Sequence, residues 1–235
     1  MARRPPFSPT LPVAERRLRR SSQGRLRWAL ALLVALLAAS PAAAEKRFYI
    51  QPLGGALDDA SVTLVATALR RFYGLDVQLR PRLPLPKSAY YAPRRRYRAE
   101  KLLDFLAAHL PADGDRVLGL TSVDISTTKG PIHDWGVLGL GAMGGESCVV
   151  SSFRARKQSR DSAHARERLA KVAVHEISHT LGLPHCPTVG CLMEDAQGKV
   201  ATTDREYDLC PACRARVAGS GRTLPAAPQI PWARP

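Results

Sequence analysis

The stretch from His175 to Met193, HEISHTLGLPHCPTVGCLM, decides how the rest of the chain is read. His175 and His179 are four residues apart, so on a helix their imidazoles leave the same face about one turn apart. That separation lets two ring nitrogens hold one tetrahedral zinc. Glu176 is rotated by roughly 100° from His175. From there it can reach a metal-bound water without becoming a ligand, the general-base position of an HExxH segment. Gly182 can take the left-handed conformation that ends a helix and turns the chain sharply. Leu183 and Pro184 then carry the chain on in extended form, so that His185 swings back as a third ligand. Three protein ligands leave one position open for water or substrate, which marks a catalytic rather than a structural site. At ordinary residue frequencies a chance HExxHxxGxxH in a chain this long is on the order of 1 in 100,000.

Four cysteines accompany the histidines. Cys186 follows the third histidine directly, Cys191 comes after four intervening residues, and Cys210 and Cys213 form a CPAC pair. Two close pairs joined by a short loop suit one closed zinc site with four thiolate ligands. The same cysteines could form two disulfides if the chain is exported. Cys148, in the apolar run Cys148-Val149-Val150, reads as a small buried hydrophobe.

HExxHxxGxxH followed by a methionine is the metzincin pattern. Its continuation here, HCx4CxM with a later CxxC, resembles the archaemetzincin (archaelysin) family of zinc metallopeptidases. The resemblance is dense from His175 to Cys213. It is looser upstream, in LPLPKSAYYAPRRRYRAEKLL and in the strand from Val117 to Asp124. The Met193-to-Cys210 spacing, with sixteen intervening residues, is about one residue shorter than the family pattern. The resemblance implies a metzincin-like zincin fold with a small C-terminal subdomain. It implies a catalytic zinc on His175, His179 and His185, Glu176 as base, and Met193 in a turn beneath the metal. It further implies a second, structural zinc on Cys186, Cys191, Cys210 and Cys213, giving two ions per chain. A peptide or protein substrate would lie along an edge strand supplied by the Trp135 to Phe153 region.

The first 44 residues do not read as part of that fold. Eight arginines against Glu15 give them a charge of +7, and an apolar run from Trp28 to Ala39 precedes Ser40-Pro41-Ala42-Ala43-Ala44. A positive segment, an apolar stretch and an A-x-A site describe a signal peptide cleaved after Ala44. The expectation is therefore an exported protein, periplasmic or extracellular. The apolar run is short of the roughly 20 residues a membrane span needs, so no stable span is expected after cleavage. The remaining 191 residues carry +8 of the total +15. A positive domain favours anionic partners, and its densest run is Arg94-Arg95-Arg96-Tyr97-Arg98, read here as a solvated loop before a helix. No nucleic-acid-binding module is recognised, and no nucleic-acid partner is expected.

Periodicity predicts the order β-α-β-α-β-β-β-α. Arg47 to Leu53 reads as a strand. Val62, Val65, Leu69 and Phe72 mark a helix closed by Gly74, and Leu75, Val77 and Leu79 a second strand. Arg80 to Arg98 reads as a Pro-rich loop. Ala99, Leu102, Leu103, Leu106 and Leu110 mark a helix stopped by Pro111 and Gly114. Arg116 to Val123, Trp135 to Gly141 and Ser147 to Phe153 read as strands. Asp161 or Ser162 can cap the long helix that runs to Leu181. The fold class is α+β: an α/β-type mixed sheet with the zinc-ligand helix beneath it. The organisation is 1–44 signal peptide, 45–216 catalytic domain and 217–235 a disordered Pro/Gly-rich tail. A non-catalytic zinc-binding adaptor on a peptidase scaffold is the alternative to an enzyme.

Overall fold

The computed structural model describes residues 47–55, 57–219, 224–226 and 230–232, all within one unit, Glu45–Pro235. The expected signal peptide lies outside the described residues. In chain order the elements are β1 (Arg47–Pro52), α1 (Asp59–Tyr73), β2 (Val77–Leu79), β3 (Tyr90–Tyr91), β4 (Arg96–Arg98), α2 (Ala99–Ala108) and β5 (Gly114–Thr121). There follow β6 (Ile125–Lys129), β7 (Ile132–Val137), β8 (Gly139–Gly141), β9 (Ser147–Ser151), α3 (Ser152–Ala155), α4 (Ser162–Thr180), α5 (Thr202–Arg205) and α6 (Pro211–Gly219).

The alternating apolar residues build a five-stranded sheet in the order β2-β1-β5-β9-β8. The first four strands run parallel and β8 pairs antiparallel to β9 at the edge. Registers Ile50↔Leu118, Leu118↔Cys148 and Leu120↔Val150 align one row of side chains. That row packs with Val65, Leu69 and Phe72 of α1 and Leu169, Ala173 and Ile177 of α4 in one buried cluster. Val117 and Val149 face the other way, against Leu102 and Leu106 of α2. Each large aliphatic side chain buried this way contributes roughly 1.5–3 kcal/mol. Helix α4 thus lies beneath the sheet as expected, and Cys148 is a buried core residue. The Tyr73 hydroxyl fixes α1 to α4, donating to the Val174 carbonyl at 2.8 Å with Ser178 Oγ at 2.7 Å.

Three parts depart from the sequence reading. The single strand expected from Trp135 to Gly141 is two, because Leu138 falls between β7 and β8. Strand β7 instead joins a second sheet, β3-β4-β6-β7, as the partner of a strand the periodicity missed. That strand, ISTTK, buries its first two residues and turns polar after them, so it has too little alternation to stand out. The basic loop is also more than a solvated segment. Arg96 pairs with Asp124 at 2.7 Å and Asp134 at 2.8 Å. Arg98 is 5% exposed and reaches Glu100, Thr128 and the His133 carbonyl. Two of the five residues in the run are therefore internal clamps that hold β4 to the β6–β7 hairpin.

The third departure is the tail. Helix α6 runs past residue 216 to Gly219. Trp232 is 7% exposed, and its indole N–H donates to the Tyr207 carbonyl at 3.0 Å. Leu224 and Ile230 pack on the same cluster, so the described part of the tail is anchored to the core. Among the described residues no helix is long and apolar enough to cross a membrane.

Candidate metal centre

Helix α4 starts where Asp161, extended at the N-cap, accepts from the His164 backbone N–H at 2.8 Å. It ends as the sequence requires. Gly182 sits at φ 87°, the Gly182 N–H returns to the His179 carbonyl at 2.9 Å, and the Leu183 N–H to the Ser178 carbonyl at 3.1 Å. A side chain at that φ would be strained, which is why glycine is needed there. The turn sends the chain back towards the helix and brings His185 to the first two histidines.

The three imidazoles converge on one point. His179 Nε2 lies 3.0 Å from His175 Nε2 and 3.3 Å from His185 Nε2. On His175 the Nδ1–H donates to the Leu192 carbonyl at 2.6 Å, and on His179 to the Leu183 carbonyl at 2.7 Å. A carbonyl only accepts, so these bonds place the proton on Nδ1 and leave Nε2 as a bare lone pair. Lone pairs turned on one another repel, and a shared cation resolves the conflict. Tetrahedral zinc with Zn–N of about 2.0–2.1 Å requires N···N near 3.4 Å, close to the separations found. The donor set therefore fits zinc. Burial and the neighbouring His179 pull His175 down to about 3, and burial lowers His179. Both rings accordingly keep the neutral form that ligation needs.

Glu176 is 6% exposed and lines the same cavity. Burial pushes its carboxyl up to about 8, with the Gly141 amide acting in the opposite sense. The edge strand presses directly on it. A Cβ at Gly139 would lie 2.6 Å from the Glu176 carboxylate oxygen, and one at Gly141 would lie 2.5 Å from the Glu176 backbone oxygen. Glycine in β8 is thus the condition for the sheet edge to reach this residue.

The four cysteines form the second group. Cys186, Cys191, Cys210 and Cys213 bring their sulfurs within 4.8 Å of one another, and none is in a disulfide. Cys186 and Cys210 are 3.7 Å apart, near the roughly 3.8 Å expected for thiolates on a tetrahedral zinc with Zn–S about 2.3 Å. Backbone N–H groups of Met193 and Cys210 point at Cys191 Sγ, at 3.5 and 3.3 Å. Burial raises Cys191 to about 11, while Thr188 draws Cys186 down to about 7. Met193 is fully buried and its carbonyl accepts from the Cys186 N–H at 2.7 Å. The two clusters are therefore joined through the Cys191–Met193 turn.

A cavity of about 630 Å³ opens over the histidines. Trp135, Leu138 and Val172 give it apolar walls, and Glu194, Asp195 and Glu206 bring carboxylates that the sequence reading did not single out. Glu194 accepts from the Gly190 N–H at 2.9 Å and pairs with Arg205. Asp195 accepts from the Gln197 N–H at 2.9 Å and stands 3.9 Å from His185 Nδ1. These acids lie in irregular segments with no periodic signal, so only the folded chain reveals them.

The chain also matches known proteins in sequence and in fold. The model of Peptidase family M54 matches residues 62–218. The archaemetzincin of Halobacterium salinarum is 30% identical over 159 residues, 65% of this chain and 88% of that protein. The archaemetzincin of Archaeoglobus fulgidus is 31% identical over 171 residues, 73% and 98% respectively. Among solved structures, the Methanopyrus kandleri archaemetzincin superposes with a TM-score of 0.66 at 29% identity, covering 77% of this chain and 98% of that one. The Archaeoglobus fulgidus structure, complexed with malonate, gives 0.61 at 33% identity, covering 72% and 99%.

Proposed function

The chain belongs to peptidase family M54 and is a zinc metallopeptidase; on that premise we propose how its residues divide the work. His175, His179 and His185 hold the catalytic ion, and Cys186, Cys191, Cys210 and Cys213 hold a second, structural one. The observation that carries the reading is the convergence of three Nε2 lone pairs, two of them fixed by Nδ1–H bonds to carbonyls. When bound there, zinc supplies Lewis acidity towards a carbonyl and lowers the pKa of a coordinated water to about 7.

Glu176 is the general base. Its burial gives the carboxylate a high proton affinity, so it can take a proton from the attacking water and return it to the leaving amine. The Gly141 amide and the close-packed β8 hold it in place. Strand β8 is the edge of its sheet, so its free side can pair with an extended peptide. The substrate is thus a peptide or protein segment lying antiparallel or parallel to Gly139–Gly141, over the histidines. No nucleic acid enters this scheme.

Export is part of the same proposal. It is supported by the positive segment, apolar run and A-x-A site of residues 1–44. An export assay with those residues fused to a reporter tests it. Peptide cleavage by the wild type and not by Glu176→Ala, at equal zinc content, tests the catalytic assignment.

A further inference from the structure

The hydrolytic scheme leaves one carboxylate in the cavity without a task. Glu206 lines the same space as the histidines and is only 2% exposed. Among the described residues its carboxyl has no hydrogen-bond or ion-pair partner. The other acids are accounted for: Glu194 by Arg205 and the Gly190 N–H, Asp195 by the Gln197 N–H, and Glu176 by its catalytic role. Two residues before Glu206, Asp204 is engaged by Arg168 and His164. Lys171, like Arg205, favours the ionised form of Glu206 by its charge. The Lys171 ammonium is nevertheless committed elsewhere, to Glu167 at 2.8 Å and the Thr203 carbonyl at 3.0 Å.

A charge held in a poorly solvated wall is unfavourable unless it is paired, and burial pushes Glu206 up to about 8. A cationic group entering the cavity would remove that penalty. The apolar part of the cavity wall suits the stem of such a group. Val172, Leu138 and Thr203 present methyl and methylene surface, which a long aliphatic chain can cover while its charged end goes further.

We propose that Glu206 sets side-chain specificity in this cavity by receiving the cationic end of a substrate lysine or arginine. The inference rests on the peptidase reading, because it assigns a substrate class to that site. Glu206 is a binding group and takes no part in the bond cleavage.

Two measurements test it with the zinc-loaded full chain. The first digests a peptide library randomised around the cut site and reads positions by mass spectrometry. Lysine and arginine are expected at one position beside the cleaved bond, with kcat/KM about tenfold or more above the matched norleucine peptide. In Glu206→Gln, which is isosteric and uncharged, that ratio falls to near one. The second measures binding of n-butylguanidinium, a side-chain mimic, against n-butanol. Wild type binds the cation in preference to the alcohol, and Glu206→Gln weakens the cation by about tenfold. The wild-type comparison needs no variant, so poor folding of Glu206→Gln would not shield the proposal.

Cleavage without cationic preference, or a preference that survives in Glu206→Gln, overturns the assignment and leaves the hydrolase standing. Glu206-dependent binding of n-butylguanidinium without cleavage of any peptide keeps the assignment and overturns the hydrolase. Equal binding of cation and alcohol by the wild type overturns the assignment whatever the library gives.

Discussion

The Nδ1–H of His175 donates to the Leu192 carbonyl at 2.6 Å, so the first histidine is held by a residue flanked by Cys191 and Met193. Cys191 belongs to the four-sulfur cluster and the Met193 carbonyl accepts from Cys186 of that same cluster. The sulfur site therefore positions a histidine it does not touch. Replacing Cys210 and Cys213 by serine should release one zinc per chain and lower thermal stability, because structural zinc contributes folding energy directly. It should also weaken the remaining zinc by about 10–100-fold, as loss of outer-shell support does. Chelator competition on the double variant measures this. Retention of one zinc at wild-type affinity would disprove the coupling.

Gly141→Ala should damage the site without altering any ligand. Its Cβ would stand 2.5 Å from the Glu176 backbone oxygen and 2.9 Å from His179 Cβ. Neither neighbour is the loose end of a flexible chain, so the edge strand must lift. Overpacking of this kind costs about 1–3 kcal/mol, and peptide cleavage should fall about tenfold through misplacement of the base. The checks are a melting curve and kcat/KM at matched zinc content. Wild-type values for both would show that β8 does not position Glu176.

Stability should respond to acid through Asp204. Arg168 and His164 hold its carboxyl down to about 2, below the ordinary 3.8. A depressed carboxylate stabilises the fold fully above its unfolded pKa and loses that contribution as pH falls through the folded value. The window is therefore about pH 4 down to pH 2. With the carboxylate about a third exposed, the contribution is about 1–2 kcal/mol after allowing for solvent screening. Urea midpoints of the wild type and Asp204→Asn should differ at pH 6 and converge towards pH 2. A gap that persists unchanged at pH 2 would assign Asp204 a role other than charge pairing.

The parts legible in the sequence were those governed by local rules. The i, i+4 spacing of His175 and His179 and the left-handed turn at Gly182 together brought His185 into place. The aliphatic periodicity of α1 and α2 named the core face, and the close cysteine pairs converged as their spacing suggested. What stayed hidden depends on partners far along the chain. Arg96 reads as one more surface charge until Asp124 and Asp134 come to meet it. Strand β6 is too polar to declare itself without β7 beside it. Glu206 is an ordinary glutamate in sequence and becomes a buried, cavity-lining one only in the folded chain.

The most direct test of the central claim compares the wild type with Glu176→Ala on a diverse peptide library, both carrying the same zinc content. Glu176 shares the cavity with the three histidines without being one of the converging ligands. The variant should therefore keep its metal and lose hydrolysis by a factor of about a hundred or more. Cleavage by the variant at a rate near that of the wild type would contradict the account.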